Sequence, residues 1–415
     1  MRVPFVLRSA PIVCCIPFAM LALSPPPDVA GGEQVGARRG LTVIAIGDAG
    51  ETSGAQRGCG MYLTNMYTGQ HDAGSFQVLI FLGNNFMPMG LNVPPGDVPG
   101  KVSTIADPFK VPMAGLGARN VHAIPGNHDY YARYAIEKSA FFGLFKTEEM
   151  PIGLTGRGND REAALDFWSY HAGLPAEATY PLGENSPDSV QFLFFDTALP
   201  LRTPSSLWTP ALDSLRHILQ ADHARPGIVW HLLCTHHPFA TVGVHGGYSL
   251  WDEETNDAAY VTPCDRDSNA LAWFKNLLDP EDVCADRYRQ LVDSLKQIIN
   301  ASGIMIQAAI AGHDGSMQFL LTGEDGVRQP FPSLQIVSGA GSVPTMVRSP
   351  RPPRIYTSAG HDPLKKGESA PGFAQIFLAA DRMRVVFYNA DNGDRIDMGD
   401  GKKEFWIDRD GRLIP

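Results

Sequence analysis

After its N-terminal segment the sequence holds no apolar run long enough to cross a bilayer. The longest run, Ala10–Leu23 (APIVCCIPFAMLAL), spans 14 residues, short of the roughly 20 that a membrane helix needs. With Arg2 and Arg8 before it, that run suits the apolar region of a secretory signal over residues 1–30, with no clean small-x-small cleavage step, so the expected location is secreted or in the secretory-pathway lumen. Basic charge is also scarce: 34 Lys and Arg stand against 44 Asp and Glu, for a net charge of −10. A nucleic-acid partner would call for a basic stripe, and none is present. An acidic chain can still bind a small phosphate ester if a metal ion supplies local positive charge. Only six cysteines occur, two of them (Cys14, Cys15) inside the signal segment. Of the other four, Cys264 and Cys284 flank one loop-like stretch and form the expected disulfide of an exported chain. Cys234, inside an apolar run, has the character of a buried free thiol.

What is present is a series of short apolar runs, each stopped by a polar or glycine-rich loop. Leu41–Ile46 leads to Gly47-Asp48-Ala49-Gly50, Phe76–Leu82 to Gly83-Asn84-Asn85-Phe86, and Val121–Ile124 to Gly126-Asn127-His128-Asp129. Val190–Phe195 ends at Asp196-Thr197, Ile228–Leu233 at Thr235-His236-His237-Pro238, Ile304–Ala311 at Gly312-His313-Asp314-Gly315, and Ser333–Val337 at Gly339-Ala340-Gly341. Runs of this kind suit strands buried on both faces. Helical spacing appears over Ser206–Gln220 and Tyr288–Asn300, and Phe373–Leu378 with Arg382–Tyr388 forms a hairpin pattern followed by further short strands. The fold class expected is α/β (α+β): a mixed sandwich with polar groups gathered at strand C-termini, where such folds place their chemistry. Residues 247–287 have the composition of an acidic insertion, 345–370 that of a mobile surface loop, and 396–415 form a C-terminal tail.

Singly, these loops carry little. Together, five strand ends deliver Asp48, Asn84, Asn127-His128, His236 and His313. Carboxylate, amide and imidazole are ligands for a borderline divalent or trivalent metal. The chain resembles the calcineurin-like metallophosphoesterases over residues 41–395, and within them the small purple (tartrate-resistant type) acid phosphatases. The resemblance rests on GDAG (47–50), LGNNF (82–86), GNHD (126–129), FDT (195–197), HHP (236–238), GHDG (312–315), SGAG (338–341), and on His245, nine residues after His236. It implies two mixed sheets packed as a sandwich flanked by helices. It also implies two metals that share a bridging carboxylate and activate a hydroxide for in-line attack on phosphorus. Carried over by motif position, Asp48 and Asn84 would serve the first metal, and Asn127, His236 and His313 the second. His128 and His245 would meet the phosphate, with Asp129 orienting His128.

Three positions depart from the family's pattern. Asn84 replaces the bridging Asp, Met87 replaces the Tyr that colours the purple members, and Gly315 replaces the second His of its motif. Among the matched positions Asp48 alone remains anionic, and two cations side by side without compensating anions are strongly disfavoured. The sequence therefore implies at most one transition metal (Fe, Zn or Mn) per chain. Asp314, His237 and the insertion could compensate, and the sequence assigns none of them. Two functions follow: a purple-acid-phosphatase-like phosphomonoesterase acting on a small phosphate ester, or a non-catalytic phosphatase-derived protein that binds or anchors a protein partner. The second resembles the membrane-held glideosome-associated proteins of apicomplexan parasites, although Arg412–Pro415 carries no membrane helix of their kind.

Overall fold

The structure, a computed structural model, describes residues 40–414 apart from 72–73, 89, 92–95, 131–164, 247–250, 253–256, 259–280, 323–329 and 360–366. The signal segment and Cys264 lie outside the described residues. The first sheet starts with three parallel strands, β1 (Leu41–Ile46), β2 (Val78–Phe81) and β3 (Val121–Ala123), and the short β4 (Ser169–Tyr170). The second sheet takes β5 (Ala176–Pro181), β6 (Ser189–Phe195) and β7 (Ile228–Thr235). A small ladder of β8 (Trp251–Asp252) and β9 (Asp257–Ala258) follows. β10 (Ala308–Ala311), β11 (Met317–Leu321), β12 (Leu334–Ser338) and β13 (Ile355–Thr357) complete the second sheet, in the order β13-β11-β12-β10-β7-β6-β5. The chain then returns to the first sheet as β14 (Gly372–Leu378), β15 (Arg382–Asn389), β16 (Phe405–Asp408) and β17 (Leu413–Ile414). β14 lies antiparallel to β1, so both sheets are mixed. The expected sandwich is the observed one.

The apolar runs are continuous because both faces of each central strand are covered. Val43 and Ala45 of β1 point into the core shared by the two sheets, together with Ile80, Phe192, Ile310 and Val385. Ile44 and Ile46 point the other way, towards helices α1 (Gly54–Tyr67) and α2 (Val98–Leu116). On the second sheet Leu193 and Phe195 face α3 (Ala198–Arg202), α4 (Thr209–Asp222) and α5 (Asp286–Ser302). α1 opens on Ser53, whose hydroxyl accepts from the Gln56 amide at 3.0 Å. α5 closes on Gly303 at φ 70°, the left-handed cap that glycine takes without strain.

Polar atoms also join the sheets. His122 on β3 stands 3.0 Å from the His171 ring nitrogen and 2.6 Å from the Tyr180 hydroxyl on β5. Two expectations need correction. Residues 396–415 are more than a tail, since β16 and β17 extend the first sheet beside β15. The segment after 345 is no loose loop in its described part: Arg348 is 1% exposed, its amide donates to the Val242 carbonyl at 3.0 Å, and β13 pairs with β11.

Candidate metal centre

The site forms where strand ends of both sheets meet. β1 delivers Asp48, β2 delivers Asn84 and β3 leads to Asn127-His128-Asp129, while β7 ends at His236-His237 and β10 at His313. Asp48, Asn84 and His313 all adopt left-handed backbone, at φ 53°, 55° and 70°. Non-glycine residues rarely sit there, and such conformations gather at functional sites. Two glycines make the approach possible. A Cβ on Gly83 (φ 92°) would stand 2.4 Å from the His236 ring, and one on Gly126 would stand 2.3 Å from the Asn84 side chain.

At the first metal position, Asn84 Nδ2 donates to Asp48 Oδ1 at 2.5 Å. The amide cannot be turned over, because its Oδ1 accepts the His128 backbone N–H at 2.8 Å. Nitrogen, not oxygen, therefore faces Asp48. Burial pushes the Asp48 carboxyl up to about 8, against the opposing pull of the Asn84 bond. Gly315 offers no room for a lost imidazole: a Cβ there would meet the Val343 carbonyl oxygen at 2.5 Å and Thr345 at 2.8 Å.

The second position is richer. His236 Nδ1 faces the Leu82 carbonyl at 2.7 Å, and its Nε2 lies 3.0 Å from Asn127 Oδ1. Burial holds His236 near 3, so the ring is neutral and carries a single N–H. With that proton on Nδ1, the Nε2 lone pair and the Asn127 oxygen face each other, an arrangement that suits a shared cation. His313 and His237 stand close by, with ring centroids 5.1 Å and 4.8 Å from His236. Both are buried and held well below the usual imidazole range, first by burial and then by nearby cationic or imidazole groups, His236 and Arg202 for His237 and His245 and His237 for His313. Both ring nitrogens of His313, Nε2 of His237 and Oδ2 of Asp48 are buried without a hydrogen-bond partner among the described residues. Orphaned imidazole nitrogens of this kind fit one borderline cation such as zinc.

The remaining expected residues sort by what they touch. His245 reaches the cluster, its ring centroid 4.2 Å from that of His313 and its backbone N–H on Asp314 Oδ1 at 3.1 Å. His128 Nδ1 meets the Pro88 carbonyl at 2.9 Å. Asp129 binds backbone amides of Gly126 at 2.7 Å, Asn85 at 3.0 Å and Phe86 at 3.1 Å, which ties the second and third loops together. Burial raises its carboxyl to about 6 in spite of those bonds. Asp314 is buried and engages Thr241 as well as His245, so it builds the 241–245 turn.

Sequence reasoning assigned no place to Glu281, which belongs to the acidic insertion. Its Oε2 accepts from Asn127 Nδ2 at 2.7 Å and its Oε1 from Arg202, so a carboxylate orients the Asn127 amide oxygen towards His236. A contact across 154 residues has no sequence signal. His237 could have been found, as the second of two adjacent histidines at a strand end.

This fold and strand-end site define a metallophosphoesterase, and the chain belongs to the calcineurin-like phosphoesterase family, which it matches over residues 41–265. No curated protein sequence matches the chain. Among solved structures it is similar to GAP50, the anchor in the inner membrane complex of Plasmodium, with 12% identity and a TM-score of 0.53 over 88% of this chain and 90% of that one. It is also similar to the purple acid phosphatase PPD1 from yellow lupin (Lupinus luteus) seeds, with 10% identity and a TM-score of 0.51 over 90% of this chain and 55% of that one. At such identities the likeness is one of fold. No helix among the described residues is long and apolar enough to cross a membrane.

Proposed function

We propose that this protein is a purple-acid-phosphatase-like phosphoesterase reduced to one metal, which binds small phosphate esters and hydrolyses phosphate monoesters slowly. The observation that carries this reading is the Asn84 Nδ2 to Asp48 Oδ1 bond, which sets an amide N–H where a bridging anion would be needed. Asn127, His236 and His313 would hold the single metal, and when bound it supplies Lewis-acid charge to a phosphoryl oxygen. His128 and His245 would receive the phosphate. Neutral, buried imidazoles keep the pocket free of competing positive charge, and Glu281 holds the Asn127 amide in its binding orientation.

The second reading is a non-catalytic binding or anchoring protein, favoured by the protonation of Asp48 at neutral pH that burial promotes. GAP50, whose fold is similar, is described as an anchor. One sample tests both readings: metal content by elemental analysis, then p-nitrophenyl phosphate hydrolysis. The first reading expects one metal or fewer and a turnover measurable yet below about 1 per second, the low end of ordinary enzymes. No turnover in metal-loaded protein supports the second, and two metals with ordinary turnover overturn both. We also propose export of the chain, which N-terminal sequencing of protein from a culture medium would check.

A further inference from the structure

The family pattern provides a ligand at 315 that this chain has lost, and the space there is filled by the Val343 carbonyl and Thr345. An extra imidazole stands elsewhere. His237, the residue after a predicted ligand, lies with its ring centroid 4.2 Å from that of His313, and candidate ligand atoms of His236, His237 and His313 all lie within 4.8 Å of one another. We propose that His236, His237 and His313 form a three-imidazole site for one zinc-class divalent cation, in which His237 adds to the second metal position an imidazole that the family pattern does not assign there.

The surrounding bonds fit that role. Metal-binding histidines normally fix one ring nitrogen on an outer partner and present the other to the ion. His236 Nδ1 is fixed on the Leu82 carbonyl at 2.7 Å, and His237 Nδ1 on Thr197 Oγ1 at 2.9 Å. Thr197 Oγ1 also accepts the His237 backbone N–H at 3.0 Å, so ring and backbone are located by one hydroxyl. That leaves His237 Nε2 buried and without a hydrogen-bond partner among the described residues, beside a His313 ring with both nitrogens in the same condition. A histidine kept only for packing would be expected to bury its ring nitrogens with partners. Asn127 Oδ1, 3.0 Å from His236 Nε2, stands ready as the oxygen donor. Three imidazoles and an amide oxygen are neutral donors that suffice for one divalent ion, with no anion among them to compensate a second.

The inference rests on the one-metal reading, and the experiment separates the two. Apoprotein is titrated with Co(II), followed by its visible ligand-field band, and the exchangeable imidazole N–H signals shifted by the bound ion are counted by proton NMR. Wild type is expected to bind one equivalent and to show three such signals. His237→Gln should remove one signal and weaken binding about 100-fold, and Thr197→Val, which keeps the ring, should weaken it about 10-fold. Two signals in wild type would overturn the inference while leaving the one-metal reading in place, and this count requires no variant to fold. Unchanged affinity in either folded variant has the same meaning. No binding, or two equivalents, overturns the one-metal reading and the inference with it.

Discussion

Asn84 donates its side-chain amide to the carboxylate of Asp48 at 2.5 Å, and the His128 backbone N–H locks that amide in place. The pair settles how the first metal position behaves without metal: it is a satisfied hydrogen bond rather than an open chelate. Asn84→Asp should therefore set two buried carboxyl groups against each other and lower apoprotein stability by about 2 kcal/mol at pH 7. Urea denaturation measures this, and added Mn(II) should restore part of the loss. Unchanged apo stability would contradict this account of the pair.

Adding back the missing imidazole should not rescue the site. The Val343 carbonyl stands 2.5 Å from a Cβ at 315, so Gly315→His should cost roughly 1–3 kcal/mol as the 343–345 segment shifts. The double variant with Asn84→Asp should still bind a single metal by elemental analysis. A gain of two metals with ordinary phosphomonoesterase turnover would show that the loop yields cheaply.

Glu281 links the insertion to the ligand Asn127 and to Arg202, with both charged side chains 12% exposed. Glu281→Ala should lower apo stability by about 2 kcal/mol and weaken metal binding about tenfold, since the Asn127 amide is then free to rotate. Titration of Co(II) into the variant checks the second half. Loss of stability alone would reduce Glu281 to a structural clip.

These residues also mark how far the sequence could be read. β1, β2, β6, β7 and β10 were legible because burial on both faces leaves an unbroken apolar run, and the glycine-Asp, glycine-Asn and glycine-His turns after β1, β2 and β10 announced the site. α2 was not, because Pro108 and Pro112 lie inside it and proline normally ends a helix. α1 was hidden by Gly54, Gly58 and Gly60, which dilute its apolar spacing. The reversal of the Asn84 amide, the crowding at Gly315 and the reach of Glu281 are products of tertiary contact, which no local pattern encodes.

The His122–His171–Tyr180 chain predicts a pH dependence. Burial lowers His122 to about 3 and His171 to about 4, with His171 adding to the shift of His122. Both folded values lie below the unfolded value near 6.5. Their contribution is thus complete above pH 6.5 and is lost as pH falls towards 4 and then 3. On the order of 2 kcal/mol per histidine should be gone by pH 5. His122→Phe, which keeps the stacking against Phe194, should flatten that slope in denaturation curves taken from pH 7 to 5.

The exported protein should carry Cys264 and Cys284 as a disulfide, closing a loop of about 20 residues worth roughly 3 kcal/mol in the chain-entropy model. Mass spectrometry of a non-reduced digest is the check, and two free thiols would count against it. Cys59 and Cys234, both buried and free, should resist alkylation until the protein unfolds.

The strand that leads to Asp48 is bonded on one side to Val78–Phe81 and on the other to Gly372–Leu378. During synthesis the first partner emerges soon after β1, and the second only when the chain is nearly complete. For most of that time one edge of β1, with its apolar face, has nothing native to pair with, a situation that invites aggregation. The first sheet consequently closes late: a chain that stops before residue 372 lacks the antiparallel partner of the strand leading to Asp48, although every candidate metal ligand has already been made.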